Sequence, residues 1–155
     1  FNSMPFHHMN LPYTIIDSGI NVNYDCIRQV HMVEGHAVKE ICTDTYGHGT
    51  AMFSIIFYNL VNKEDAKFIS IRVCMDSEEN DEWGKELLYA LRYCKENKVD
   101  LINISLGFQT CNELKKQIAD EITALNRQGC IIVAAIHPHL KITLPWSLEG
   151  VVRVF

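Results

Sequence analysis

Tyr46-Gly47-His48-Gly49-Thr50 runs directly into Ala51-Met52-Phe53-Ser54-Ile55-Ile56-Phe57. A histidine flanked by two glycines therefore stands on the first turn of a helix that is apolar on nearly every side. A helix without a polar face is expected to run through the middle of a domain, because no side of it suits water. Gly47 and Gly49 keep side-chain bulk away from the histidine, so that something large can approach it. Thr50 is the residue expected to close the helix start. The stretch predicts a reactive imidazole mounted on the core.

The segments on either side predict the layers around that helix. Residues 11–17 (Leu-Pro-Tyr-Thr-Ile-Ile-Asp) form a short apolar run ending in a carboxylate and the turn Ser18-Gly19. This is the pattern of a buried parallel strand with an acid at its carboxyl end, where open α/β sheets bind their ligands. Asp17 is a candidate for chemistry there, and equally an acceptor for the turn that follows it. Residues 30–33 and 38–42 read as two further short strands, and 67–73 as an alternating one. Residues 76–82 are acidic and loop-like. Helical spacing of Leu87, Leu88, Leu91 and Cys94 predicts an amphipathic helix over 82–97. Residues 101–105 are a strand, 112–128 a second amphipathic helix stopped by Gly129, and 131–135 and 151–155 the last strands. Strands alternating with amphipathic helices give a three-layer α/β fold with a mostly parallel sheet.

Composition narrows the class. With 155 residues the chain is one domain, and 48% hydrophobic residues are enough to build its core. No apolar run is long enough to cross a membrane. A net charge of -5 without a basic stripe argues against nucleic acid and leaves peptides or proteins as the partners expected. The six cysteines include no C-x-x-C pair, and several lie within apolar segments. They read as reduced thiols of a cytoplasmic protein, with disulfides as the alternative. His31, Glu34 and His36 match no standard metal spacing, and the acidic loop lacks a regular calcium pattern, so no metal or other cofactor is expected. No glycine-rich phosphate loop follows the first strand, which disfavours a nucleotide binder. Phe1-Asn2-Ser3 reads as a vector remnant, leaving 4–155 as a single domain whose first strand follows at once, with no secretory signal between.

Five segments resemble, in order, those of the subtilisin-like serine peptidases, the subtilases (peptidase S8). Thr14-Ile15-Ile16-Asp17-Ser18-Gly19-Ile20 is similar to the segment of the catalytic aspartate, and Gly47-His48-Gly49-Thr50 to that of the catalytic histidine. Ile102-Asn103-Ile104-Ser105-Leu106-Gly107 resembles the strand whose edge binds the substrate backbone. Gly129-Cys130-Ile131-Ile132-Val133-Ala134-Ala135 resembles the strand leading to the oxyanion loop. Leu144-Pro145-Trp146-Ser147 and Val151-Val152-Arg153-Val154 look like the proline-bearing loop and strand beyond it. The resemblance implies a subtilisin-like fold with helices on both faces, truncated at its C-terminal side. It also implies Asp17 as orienting carboxylate, His48 as general base, and Ser105, Leu106 and Gly107 as the substrate-binding edge.

Two departures qualify the activity. No Gly-Thr-Ser nucleophile motif occurs in the 155 residues. The family's oxyanion asparagine is also missing: the stretch reads Ala134-Ala135-Ile136-His137-Pro138-His139. A proline there has no N–H to donate, and removing one oxyanion donor costs roughly 10²–10³ in turnover. His137 or His139 is a candidate substitute donor, against the plainer reading of loop histidines. The expectation is a subtilase-like pseudoenzyme, inactive as this chain alone, that binds peptide or protein. The alternative is one part of a serine endopeptidase whose serine comes from another chain or a missing segment. A sheet edge at 151–155 and an uncovered apolar surface further predict self-association or a complementing second polypeptide.

Overall fold

Alternating short apolar runs and amphipathic segments fold as their periods dictate. The structure, a computed structural model, describes residues 12–38, 44–73, 80–136 and 143–155. In chain order the elements are β1 (Tyr13–Asp17), β2 (Ile27–Val33), β3 (His36–Val38), α1 (His48–Asn59), β4 (Phe68–Arg72), α2 (Asn80–Glu96), β5 (Leu101–Ile104), α3 (Asn112–Arg127), β6 (Ile131–Ala135) and β7 (Val151–Val154). The strands form one sheet in the order β3-β2-β4-β1-β5-β6-β7, parallel throughout except for the β2–β3 pair. β1 is central. From it the chain builds one half of the sheet through β4 and β2, then the other through β5, β6 and β7. The carboxyl ends of β1 and β5 therefore lie at the point where the winding reverses, the place where such sheets open a ligand crevice.

Successive side chains of β1 point to opposite faces, and the two faces carry different cores. Ile16, with Ile71, Ile102, Ile104 and Ile132, packs under Leu87, Leu91 and Cys94 of α2 and Ile118, Ile122 and Leu125 of α3. Ile15 faces the other way and joins Ile20, Phe68 and Phe53 of α1. The Phe53 and Phe68 rings meet edge to face at 4.9 Å. Each such side chain taken fully from water contributes about 1.5–3 kcal/mol before conformational entropy is subtracted.

Several expectations are corrected. α1 is not wrapped on all sides: Gly49 and Phe53 are its buried residues, whereas Ile55 and Tyr58 are 57% and 65% exposed. It covers one face of the sheet, and no described element covers its outer side. Thr50 does not cap α1 either. The N-cap position is Gly47, at φ +76, and the first turn is closed by the side chain of Asp44. α2 begins at Asn80, so Asp81 and Glu82 belong to a helix rather than an acidic loop; they occupy its first turn, where negative charge is favoured. Residues 74–79 lie outside the described residues.

The strand expected over 30–33 starts earlier, at Ile27, and its partner is His36–Val38 instead of 38–42, of which 39–42 are not described. Val33 pairs with His36 across Glu34 (φ +46) and Gly35 (φ +84), a two-residue hairpin turn with both centres left-handed. β7 pairs in parallel with β6, and Val152 and Val154 on it are exposed.

Candidate active site

Asp17 is delivered by β1. As the strand ends, the chain turns through Ser18 and Gly19, and the carboxylate is left 1% exposed. Its oxygens are not idle: the Ser18 N–H donates to Oδ1 at 2.8 Å. The acid thus accepts from the turn that follows it and also faces the helix start.

His48 is delivered by α1, as the first helical residue after Gly47. Its Nδ1 lies 2.8 Å from Asp17 Oδ1 and 3.0 Å from Oδ2. An ionised carboxylate only accepts, so in this contact Nδ1 is the donor and Nε2 is the ring nitrogen outside it. The imidazole is 45% exposed while Asp17 is buried. A half-open ring with Nδ1 committed to Asp17 has Nε2 as the nitrogen left to take a proton from an incoming group.

The glycines act differently from the sequence expectation. A Cβ on Gly49 would stand 2.1 Å from the Gly19 carbonyl oxygen and 3.2 Å from Asp17 Cβ. What approaches so closely is the chain's own Asp17 turn. Gly47 has nothing within 4 Å of that position and is needed for its positive φ instead.

Asp44 was not anticipated from the sequence. It is 7% exposed. Its Oδ1 accepts from Ser18 Oγ at 2.8 Å, Gly47 N–H at 2.8 Å and Tyr46 N–H at 3.1 Å. Its Oδ2 accepts from the Thr50 N–H at 2.8 Å and Thr50 Oγ1 at 2.7 Å. The signal that could have found it is an aspartate followed within a few residues by a glycine and a helix, the pattern of a side chain that closes its own turn.

The two carboxylates are pushed in opposite directions. Burial raises Asp17 above its ordinary range, and the hydrogen bonds from His48 and Ser18 only partly offset that. Burial also acts on Asp44, but the hydrogen bonds from Thr50, Ser18 and Gly47 outweigh it and hold the acid below its usual value.

The other predicted positions follow from the sheet. β1 and β5 are registered up to Ile16–Ile104, so Asp17 and Ser105 leave the sheet side by side. Ser105 Oγ accepts a hydrogen bond from Asn103 Nδ2 at 2.9 Å, and Leu106 is buried. Gly107 faces Thr143, and Phe108 is tied to Leu144 by two backbone hydrogen bonds of 2.8 and 3.2 Å. His137 and Pro138 lie outside the described residues. Among the described residues no group of three or more His, Cys, Asp or Glu could hold a metal ion. No helix among them is long and apolar enough to cross a membrane.

A central parallel strand ending in a buried aspartate, and a facing helix starting with the histidine it binds, define a subtilisin-like α/β domain. The family model described as the subtilase family matches residues 14–136. The chain belongs to that family.

Solved structures agree on the fold. The epidermin leader peptide processing serine protease EpiP from Staphylococcus aureus superimposes with a TM-score of 0.68 at 18% identity, over 94% of this chain and 46% of its own. The prenylagaramide maturation protease PagA gives 0.67 at 19% identity, over 93% and 53%. MycP1 with its N-terminal propeptide removed gives 0.66 at 17%, over 93% and 57%. The chain spans about half the length of the solved structures it matches. No curated protein matches it.

Proposed function

We propose that this chain supplies the acid–base half of a subtilisin-like serine endopeptidase, the nucleophilic serine being carried by polypeptide outside these 155 residues. The observation that carries the reading is the Asp17–His48 pair: Nδ1 within 3.0 Å of both carboxylate oxygens, on a ring open to solvent. In the proposed reaction His48 Nε2 takes the serine proton as the hydroxyl attacks the scissile carbonyl. Asp17 holds the imidazole orientation and stabilises the imidazolium, which then protonates the leaving amine. The substrate is an extended peptide lying along Ser105, Leu106 and Gly107 by strand addition. Two of the similar enzymes are described as a leader peptide processing protease and a maturation protease, which favours a peptide of that processing kind here.

The missing half is proposed to dock on the outer face of α1, around Ile55 and Tyr58, and beside β7, where apolar side chains are exposed. Contact of this kind would bury surface that otherwise favours self-association. A cytoplasmic location belongs to the same proposal, supported by Cys94 and Cys130 lying as free thiols in the apolar core.

One observation favours a second reading, a non-catalytic peptide-binding subtilase. After Ala135 the chain carries Ile136-His137-Pro138, where the family places its oxyanion asparagine. Fluorophosphonate labelling separates the two. Labelling of a co-purifying partner, abolished by His48→Ala in this chain, supports the endopeptidase. No labelling of any partner, together with peptide binding weakened by substitutions at Ser105 or Gly107, supports the binding protein.

A further inference from the structure

The Asp17–His48 contact joins two segments separated by 31 positions, and a carboxylate beside them touches both. Ser18 Oγ is the meeting point. It lies 2.8 Å from Asp44 Oδ1 and 3.3 Å from Asp17 Oδ1, and it accepts the Gly49 N–H at 3.0 Å. A hydroxyl has one proton, and the shorter contact directs it to Asp44. Asp17 Oδ1 is then left to the Ser18 N–H and to His48. On the helix side, Asp44 receives the backbone N–H groups of Gly47 and Thr50, the first immediately before His48 and the second two residues after it.

We propose that Asp44 is a positioning residue: it fixes the helix start that carries His48 and, by claiming the Ser18 proton, keeps Asp17 free to hold the imidazole. The inference deepens the proposed function and rests on that reading of the Asp17–His48 pair. Every partner of Asp44 is a donor: three backbone N–H groups and two hydroxyls. Only an ionised carboxylate accepts from all of them. An asparagine would place its NH2 group where one carboxylate oxygen accepts from at least two of those donors, which is why Asp44→Asn is an informative change despite its nearly identical shape.

The test reads the His48 Nδ1–H proton directly, by ¹H NMR of the 155-residue chain, and needs no turnover. In the unaltered chain a downfield Nδ1–H signal is expected, lost on His48→Ala. Asp44→Asn is expected to speed its exchange with solvent about ten- to a hundredfold, the factor expected when a charge-assisted contact is lost. Ser18→Ala removes the hydroxyl whose proton Asp44 claims, and is the second variant should Asp44→Asn not fold. With no hydroxyl left to compete for Asp17, Ser18→Ala alone is expected not to speed exchange, and the double variant to exchange more slowly than Asp44→Asn, since the two residues act through one proton. Unchanged exchange in a folded Asp44→Asn chain overturns the proposal, as does faster exchange in Ser18→Ala or a double variant no slower than Asp44→Asn. Because the readout is a proton and not hydrolysis, failure here leaves fluorophosphonate labelling to decide the peptidase reading by itself.

Discussion

Replacing Gly49 by alanine should separate Asp17 from His48. The added Cβ would sit 2.1 Å from the Gly19 carbonyl oxygen, and the obstructing atom is backbone, which cannot swing aside like a flexible side chain. An opening of about 1 Å between β1's turn and α1 is needed to restore ordinary contact. Overpacking of this kind costs about 1–3 kcal/mol. The same opening stretches the Gly49 N–H to Ser18 hydrogen bond and the His48–Asp17 contact, the latter worth about 1.5–3 kcal/mol because one partner is ionised. The total is about 2.5–6 kcal/mol, which at 2–4 °C per kcal/mol lowers the melting temperature by about 5–24 °C.

Gly47→Ala is the control. It keeps a φ of +76 but meets nothing within 4 Å, so it carries only left-handed strain of about 1–2 kcal/mol. Urea unfolding followed by far-UV circular dichroism, run on both variants, gives the comparison. A Gly49→Ala chain no less stable than Gly47→Ala would refute the reasoning, because the close backbone approach would then not be what the glycine is for.

Titration of the two acids gives predictions of opposite sign. Asp17 is raised above 3.8 by burial, so its contribution is fully present below that value and is lost as pH rises through the folded value. Asp17→Asn should therefore be more stable than the unaltered chain at neutral pH, with the gap closing in acid, while cutting turnover of an assembled enzyme about 10⁴-fold by fixing the wrong imidazole tautomer. Asp44 is held below 3.8, so its contribution is present above that value and disappears as pH falls through the folded one. Asp44→Ala should cost about 2–4 kcal/mol at neutral pH and progressively less in acid, read by denaturant midpoints across a pH series. Among Cys26, Cys94, Cys111 and Cys130, the exposed Cys111 should alkylate first. Burial raises the Cys130 thiol to about 11, leaving about one thiolate in a thousand at pH 8, and pushes Cys94 higher still. Mass spectrometry after iodoacetamide should find both unmodified until the chain is unfolded.

How much of this was legible in the sequence depends on how local each cause is. Ile15-Ile16-Asp17 followed by a turn predicts a buried strand with an acid at its end, and the apolar spacings of 87–94 and 114–125 predict two amphipathic helices. Those patterns need no distant partner to be read. Asp44 does: among its donors is Ser18, 26 positions away, and only the fold brings them together. The exposed side of α1 is hidden from the sequence for a related reason. Apolar residues all round a helix imply full burial only if every surrounding element is at hand, and here Ile55 and Tyr58 face none of those described. The Glu34-Gly35 hairpin turn is not legible in the sequence, because Glu34 is an unusual residue for a positive φ.

The site's character lies in the difference between its two carboxylates. Asp17 and Asp44 both approach one hydroxyl, that of Ser18, and only one can have its proton. Asp44, supplied with backbone and hydroxyl donors, is the more easily ionised and draws that proton; Asp17, more deeply desolvated, is left with fewer donors and a stronger demand for one. The donor that meets the demand is the His48 Nδ1–H. A buried acid short of partners binds an imidazole more firmly, and in the right tautomer, than a well-solvated acid would, because in a low dielectric each remaining hydrogen bond counts for more. The cost of burying Asp17 is thus what makes it hold His48, and the donors gathered on Asp44 keep that cost from being relieved by Ser18 instead.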